Sequence, residues 1–195
     1  ELQPNWIGVF SFIQIAAPSR SKIDEYQQLT QQVVSLAERI NRRFSRDGYR
    51  PIHLRIEHHD TQQVTAYYRG ADCCIVSSLH DGMNLVAKEF VASRNDEQGV
   101  LILSQFTGAA TELPDALVVN PYNIDQCAAA LHMALTMPLT EQRARMRSMR
   151  GIVQEFNVHR WAGRMLMDAA RMRQRARLAR QTGTRDARTT TGGQA

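Results

Sequence analysis

Five apolar, strand-like runs alternate with helical segments along this chain, and that alternation constrains its fold more than any other feature. The runs are "WIGVFSFIQIAA" from Trp6, "IHLRIE" from Ile52, "CCIVSS" from Cys73, "GVLILS" from Gly99 and "ALVVNP" from Ala116. The segments between them carry apolar residues at helical spacing. Parallel strands need crossover connections, so this order favours a parallel sheet with helices on both faces. We therefore predict a Rossmann-like α/β domain.

The third run leads into the most informative stretch, "SSLHDGMNLVAKEF". The run itself lacks polar alternation, which predicts a strand covered on both faces. Asp81-Gly82 then passes directly into a helix. In open α/β sheets, ligands bind at the carboxyl ends of the strands, and this stretch lies at such an end. The sequence therefore predicts a ligand site here.

The start of that helix has the chemistry of a phosphate and sugar site. The first amides of a helix lack internal partners and carry the positive end of the helix dipole, so they attract anions. Gly82 lacks a Cβ and lets a ligand approach the backbone closely. Asp81 could accept hydrogen bonds from hydroxyl groups. Glu89 follows Leu85 by four residues, on the same face, and could accept two hydrogen bonds from a ribose diol.

A simpler interpretation of the same stretch is a turn followed by a helix cap. Asp-Gly is a common turn dipeptide, and Asn84 is a common capping residue. The glycine patterns GxGxxG and GxxxxGK[ST] are absent from the sequence, so the commonest phosphate-binding signatures do not support the site.

The charge distribution separates a body from a tail. The chain carries a net charge of +5. Residues 171–195 contain seven arginines and one acidic residue, a local charge of +6, which leaves −1 for residues 1–170. We predict that the tail is helical at first and disordered from about Gln181, because its end lacks large apolar residues. A nearly neutral body argues against a specific nucleic-acid interface, although the tail could bind a polyanion.

The cysteine spacing and the hydropathy of the sequence exclude further classes of protein. Cys73, Cys74 and Cys127 show no CxxC spacing, which favours reduced thiols over a disulfide framework or a zinc site. No apolar run reaches the roughly 18 residues that a membrane span needs, and no leader sequence is visible. We expect a cytoplasmic protein without a membrane partner.

Four strings resemble the trehalose-6-phosphate synthase family, in order and in spacing. They are "IQIAAPSR" from Ile13, the long string "LHDGMNLVAKEFVASRNDEQGVLILSQFTGAATEL" from Leu79, "VVNPYNID" from Val118 and "RWAG" from Arg160. The resemblance covers roughly residues 8–170. It implies that residues 1–170 form the UDP-sugar-binding, C-terminal half of a two-domain glycosyltransferase of the B-type fold, with 171–195 as a separate basic tail.

The resemblance also assigns roles to residues. It implies that Asp81 contacts the glucose hydroxyls, that the backbone from Gly82 to Val86 holds glucose and diphosphate, and that Glu89 holds the ribose. His59 matches a position that contacts the uracil, although His58 and His59 by themselves are typical of a solvated loop. The donor-binding residues implied are therefore Asp81, Gly82, Met83, Asn84, Leu85, Val86 and Glu89, with His59 as a further candidate.

The reaction implied is glucosyl transfer from UDP-glucose to glucose 6-phosphate, giving trehalose 6-phosphate and UDP. The family's acceptor domain, and the arginine and lysine that hold its donor phosphates, would precede Glu1, so no catalytic residue is assigned. We expect neither metal nor cofactor, and the intact enzyme could be a homo-oligomer. The chain alone is expected to fold but to transfer no glucose.

Two alternatives within the family stay open at this stage. A glucosylglycerol-phosphate synthase would use the same donor with another acceptor. A non-catalytic regulatory member would keep the fold and lose site residues, whereas Asp81, Gly82, Asn84 and Glu89 are all present here. A nicotinamide-binding domain is a third interpretation, and it lacks its glycine fingerprint.

Overall fold

The strands and helices follow the predicted alternation. The computed structural model describes residues 4–18 and 24–189. A short 3₁₀ helix, Pro4–Trp6, comes first. The elements are β1 (Phe12–Ala16), α1 (Asp24–Phe44), β2 (Ile52–Ile56), α2 (Thr61–Gly70), β3 (Cys73–Val76), α3 (Leu85–Ser93), β4 (Val100–Ser104), α4 (Ala109–Glu112), β5 (Leu117–Val119), α5 (Ile124–Thr136), α6 (Leu139–Glu155) and α7 (Val158–Thr189).

Local capping signals place two of the helices where the sequence predicts them. Asp60 accepts a hydrogen bond from the Gln63 backbone N–H at 2.8 Å, and the Gln63 side chain accepts one from the Asp60 N–H at 3.0 Å. This reciprocal pair is a capping box, and it starts α2. The Asn123 side chain accepts from the Gln126 N–H at 3.0 Å and starts α5. Both helices therefore begin at a side-chain cap.

The main core lies on the two faces of β4. All five residues of this strand are buried. Leu101 and Leu103 face α3 and α6 and pack with Phe90 of α3. Val100 and Ile102 face α5 and pack with its alanines. Full burial on both faces explains why the sequence of β4 is a continuous apolar run.

The sheet differs from the single five-stranded sheet that the alternation suggests. All described pairs are parallel, but they form two hydrogen-bonded groups, β1–β2 and β3–β4–β5. Side chains of β3 pack into both core clusters, as predicted for a strand covered on both faces. Its residues Cys73, Cys74 and Ile75 nevertheless stay half-buried. The reason is that β3 pairs on one side only.

The basic tail also differs from its prediction. Helix α7 continues to Thr189, whereas composition predicts disorder from about Gln181. The good helix formers lie at residues 171–180, "RMRQRARLAR", and a helix that has formed there adds further residues at a smaller cost than a new helix would need. Residues 190–195 lie outside the described part of the chain.

Candidate functional site

Asp81 organises the loop between β3 and α3. Its Oδ1 accepts hydrogen bonds from the backbone N–H of Met83 at 3.1 Å and of Asn84 at 2.8 Å. Its Oδ2 accepts from the Asn84 side-chain amide at 2.9 Å. These bonds, led by the one from the Met83 N–H, hold the pKa of the Asp81 carboxyl below its usual value. The carboxylate therefore shapes the loop, and it keeps acceptor capacity for one further partner.

Asn84 joins that loop to the helix in a left-handed conformation, with φ of 64°. Such a conformation is unusual for a residue with a side chain, although asparagine tolerates it best. Asn84 is buried, and its Oδ1 accepts the Ala87 N–H at 2.8 Å as the cap of α3. Strained backbone held by several hydrogen bonds is typical of functional sites, where it fixes a geometry before the ligand arrives.

The caps leave two amides of α3 open. Asn84 takes the Ala87 N–H, and Asp81 takes the two N–H groups that precede the helix. Within the described residues, the N–H groups of Leu85 and Val86 have no protein acceptor, and both residues are exposed. A helix terminus with exposed, unpaired amides is a suitable site for a phosphate group. The simpler interpretation, a turn followed by a cap, therefore describes the loop but leaves these two N–H groups without an acceptor among the described residues.

A second loop, after β4, supports the first. The Gly108 N–H donates to the Asp81 carbonyl at 3.0 Å, and the Asp81 N–H donates to the Phe106 carbonyl at 3.3 Å. A Cβ built on Gly108 would lie 2.2 Å from the Gly82 carbonyl oxygen, so only glycine fits there. A Cβ on Gly82 would meet nothing within 4 Å. Gly82 thus faces open space, while Gly108 is the glycine that packing requires.

Glu89 lies one turn along α3 and is exposed, as is Leu85 before it. It neighbours Tyr68 of α2, whose ring packs edge-on against Phe90 at 6.0 Å between centroids. Burial, chiefly, raises the pKa of Tyr68 to about 12, with further contributions from Cys74 and Glu89. Tyr68 therefore stays neutral beside the carboxylate that the sequence assigns to a ribose.

His59 is not a solvated loop residue. Its side chain is 6% exposed, and its ring packs edge-on against Tyr67 at 5.6 Å between centroids. Its Nδ1 lies 3.0 Å from the Glu57 carbonyl oxygen, and its Nε2 lies 3.7 Å from the Glu57 carboxylate. It follows β2, so it belongs to the other hydrogen-bonded group of strands. A contact with uracil stays a prediction.

The described thiols, carboxylates and imidazoles do not cluster into a metal-binding arrangement. No group of three or more His, Cys, Asp or Glu side chains among the described residues could hold a metal ion. The three cysteines are free, and burial raises the pKa of Cys73 to about 11 and that of Cys74 to about 12. Among the same residues, no helix is both long enough and apolar enough to cross a bilayer.

Two contributors to the site escape sequence reasoning. Tyr68 is an ordinary member of an amphipathic helix in the sequence, and only the packing of α2 on α3 brings it to Glu89. Gly108 belongs to the small-residue run "GAA", which signals a helix start and gives no hint of the approach to Gly82. An aromatic pair, Phe106 and Tyr122 at 5.8 Å between centroids, stands beside these loops after β4 and β5.

Asp81→Asn tests the organisation of the loop. We expect it to lower the free energy of unfolding by about 0.5–1 kcal/mol at neutral pH, since an exposed cap is weakened and two amide nitrogens then face each other. The pKa of Asp81 is lowered in the folded state, so its stabilisation is complete above the ordinary value of 3.8. It is lost only as the pH falls further, through the lowered pKa.

Urea unfolding from pH 7 downward measures this difference. The two proteins should differ at neutral pH and converge only in strong acid, below pH 3.8. Glu38→Gln, exposed in the middle of α1, serves as the control and should leave stability nearly unchanged. A wild-type advantage that disappears above pH 4 would contradict the assignment.

In Rossmann-like domains, ligands with phosphate groups bind at the carboxyl ends of the parallel strands, where helices begin. The unpaired N–H groups at the start of α3 lie at such an end, so the fold and the site are those of an α/β domain that binds phosphate ligands. Residues 1–171 match the model of glycosyltransferase family 20. The chain belongs to this family. The trehalose-6-phosphate synthase of Klebsiella pneumoniae is 41% identical over 184 residues, and that of Salmonella arizonae is 41% identical over 182.

Solved structures agree with these sequence matches. A UDP-forming trehalose-phosphate synthase from Burkholderia xenovorans superposes with a TM-score of 0.83 at 43% identity, covering 86% of this chain and 38% of that one. The enzyme from Burkholderia multivorans superposes with a TM-score of 0.85 at 39% identity. That superposition covers 91% of this chain and 38% of the Burkholderia multivorans chain. The sequence matches include 94% of this chain for the Klebsiella relative and 93% for the Salmonella relative. The chain nevertheless spans only 39% and 38% of the length of those two proteins.

Proposed function

We propose that this chain is the donor-binding part of a UDP-forming trehalose-phosphate synthase, which transfers glucose from UDP-glucose to glucose 6-phosphate. The names of the matched relatives support this reaction, and an E. coli relative at 40% identity has been solved with UDP-2-fluoro glucose. A Burkholderia xenovorans relative has been solved with glucose 6-phosphate. Since the chain spans less than half of these proteins, the rest of the enzyme would bind the acceptor.

The observation that carries the proposal is the pair of open amides at Leu85 and Val86. A diphosphate accepts hydrogen bonds from both, at the positive end of α3. The glucose then lies over Gly82, where a Cβ would meet nothing within 4 Å, with the remaining acceptor capacity of Asp81 toward a hydroxyl. The ribose extends along α3 to Glu89.

This arrangement stabilises the leaving group. When the glycosidic bond breaks, negative charge develops on the diphosphate oxygens of UDP. Fixed amides and the helix dipole stabilise that charge without having to reorganise, which is the main source of electrostatic catalysis. Asp81 already accepts three hydrogen bonds, and Glu89 lies one turn further along α3. We assign neither as a nucleophile toward the sugar.

The alternative acceptors and the regulatory role are not favoured. The curated relatives named above are all trehalose-phosphate synthases, and the residues of the donor loop keep their hydrogen bonds. A regulatory member that has lost its donor site would have no reason to maintain a strained Asn84 and two open amides.

Calorimetric titration of the chain with UDP tests the proposal. We expect saturable binding that is unchanged when EDTA is added, because amides and a helix dipole meet the diphosphate here. Binding of GDP and ADP at equal affinity would show a phosphate site without preference for uracil. Loss of binding on chelation would show that a metal ion, and not the terminus of α3, holds the diphosphate.

Glu89→Gln tests the ribose contact. Hydrogen bonds to a charged acceptor contribute roughly 1.5–3 kcal/mol, so the affinity for UDP should fall about tenfold or more. Glutamine has nearly the same shape and the position is exposed, so folding should barely change. Glu38→Gln, on the exposed face of α1, is the control and should bind UDP normally. An unaltered affinity in Glu89→Gln would leave this residue as ordinary surface.

A further inference from the structure

Arg94 places a buried cation at the end of α3. The residue is 5% exposed, and in the described part of the chain it is the only charged residue that is buried. Its Nη1 donates to three backbone carbonyl oxygens, those of Tyr68 at 2.9 Å, Arg69 at 2.8 Å and Ala71 at 2.6 Å. Burial of a charge is costly unless its donors are paired, so these contacts are what keep the guanidinium inside the protein.

The three carbonyl groups lie at the C-terminus of α2. The last carbonyls of a helix lack partners inside the helix and carry the negative end of its dipole. Arg94 supplies donors and positive charge to them, although it is itself the C-cap residue of α3. In the reverse direction, the Arg69 Nε of α2 donates to the Ser93 carbonyl of α3 at 3.3 Å. The two helix ends therefore hold each other through reciprocal hydrogen bonds.

The other side of the Arg94 guanidinium is fixed as well. Its Nε and Nη2 form a bidentate pair with the Asp96 carboxylate, at 3.1 and 3.0 Å. A Cβ on Gly99 would lie 3.2 Å from the guanidinium carbon, so a glycine leaves the space in which the cation packs. A planar fork of five N–H groups reaches carbonyls and carboxylate together, which the single ammonium group of a lysine cannot do.

The contacts of Arg94 extend to Glu89 through Tyr68. The Arg94 Cζ lies 5.9 Å from the centroid of the Phe90 ring, and that ring packs edge-on against Tyr68 at 6.0 Å. Arg94 also holds the Tyr68 carbonyl, so both the ring and the backbone of Tyr68 are anchored to the end of α3. Tyr68 in turn lies beside Glu89. The position of α2 on α3 therefore determines what surrounds the Glu89 carboxylate.

We propose that Arg94 is a positioning residue for the nucleoside half of the donor. It pins α2 to α3, so that Tyr68 restricts the space in which the Glu89 carboxylate moves. A restricted carboxylate loses less freedom when it accepts the ribose hydroxyls. This inference rests on the proposed function, in which Glu89 meets the ribose. The diphosphate is held at the opposite end of α3, about 13 Å away, so Arg94 acts on the nucleoside and not on the phosphates.

Calorimetric titration of Arg94→Lys with UDP and with inorganic pyrophosphate tests the proposal. Lysine keeps the positive charge and loses the planar fork. We expect the affinity for UDP to fall about fivefold or more, because the Glu89 side chain must then be ordered on binding. The affinity for pyrophosphate should stay within about twofold of the wild type, since pyrophosphate meets only the amides of α3. A loss of general stability would lower both affinities together.

Arg150→Lys is the matched control. The Arg150 Nη1 of α6 donates to the carbonyls of Val91 at 3.1 Å and Ala92 at 2.8 Å, near the same end of α3. Its Nη2 donates to the Asn95 side chain at 3.2 Å. The substitution removes the same kind of contact from α3, whereas these three hydrogen bonds do not reach α2. We expect this variant to bind UDP and pyrophosphate normally.

Hydrogen exchange without nucleotide measures the pinning of α2 directly. In Arg94→Lys, the amides of residues 67–70, in the last turn of α2, should exchange about tenfold faster, while those of α5 stay unchanged. Unchanged exchange in α2 would mean that Arg94 does not hold this helix. Asp96→Asn is the second variant, should Arg94→Lys fail to fold. The Asp96 side chain is 51% exposed, so its replacement is tolerated, and it should lower UDP affinity selectively by about twofold.

The outcomes separate this proposal from the reaction on which it rests. Absence of UDP binding by the wild-type chain would overturn the proposed function, and the role of Arg94 with it. Normal UDP affinity in Arg94→Lys, in a chain that does bind UDP, would overturn the role of Arg94 alone. Equal losses for UDP and pyrophosphate, or an equal loss of UDP affinity in Arg150→Lys, would leave Arg94 as a structural residue only.

Discussion

Gly108→Ala is expected to displace the loop that carries Asp81 and to reduce UDP binding by at least tenfold. The added methyl group would lie 2.2 Å from the Gly82 carbonyl oxygen, a backbone atom that cannot rotate away. Overpacking of this kind costs about 1–3 kcal/mol. Gly108 has an ordinary helical φ of −59°, so alanine fits its backbone and the effect is purely steric.

Gly151→Ala is the matched control. A Cβ on Gly151 meets nothing within 4 Å, and the residue lies inside α6. Alanine there should stabilise the protein by about 0.5–1 kcal/mol, because glycine is a poor helix former. Thermal unfolding and UDP calorimetry on both variants measure the contrast. If Gly108→Ala had normal stability and normal affinity, the contact between the two loops would not position the donor site.

The 195-residue chain by itself is expected to transfer no glucose, the largest effect we predict. Holding two reactants together contributes up to roughly 7–11 kcal/mol, which is about five to eight powers of ten in rate. The described residues supply the proposed donor surface, and the acceptor would have no domain to hold it beside the sugar. A reaction that forms a glycosidic bond needs a closed cleft that excludes water.

The assay mixes the chain with UDP-glucose and glucose 6-phosphate and follows both UDP and disaccharide phosphate. UDP binding by the same preparation is the control, since it shows that the donor surface is folded. The intact Klebsiella pneumoniae enzyme serves as the positive reference. Turnover near that of the reference would mean that this chain contains a complete active site.

Local signals in the sequence were sufficient to predict the order of elements. The continuous apolar run of β4, the capping box of Asp60 with Gln63, and the cap at Asn123 depend on residues close together in the chain. Hydrophobic periodicity and capping are properties of such short stretches, which is why they can be read without the fold. The position of Asp81 and Glu89 at one end of the sheet followed from the same alternation.

The tertiary structure decided which amides remain open. The sequence predicts a helix terminus with free N–H groups, but the side chain of Asp81 takes two of the preceding amides and Asn84 takes that of Ala87. Among the described residues, the N–H groups of Leu85 and Val86 are left without an acceptor. Rotamers and a left-handed backbone angle determine this division, and neither is encoded in residue types alone.

The sequence by itself determined the fold class, the family resemblance and the stretch that forms the candidate site, because each rests on patterns within a few residues of one another. The tertiary structure alone decided that Gly108 must be glycine, that Tyr68 lies beside Glu89 and that the described strands form two hydrogen-bonded groups. Those features depend on contacts between elements far apart in the chain. Such contacts are set by close packing, where a single methyl group or one unpaired strand edge changes the outcome.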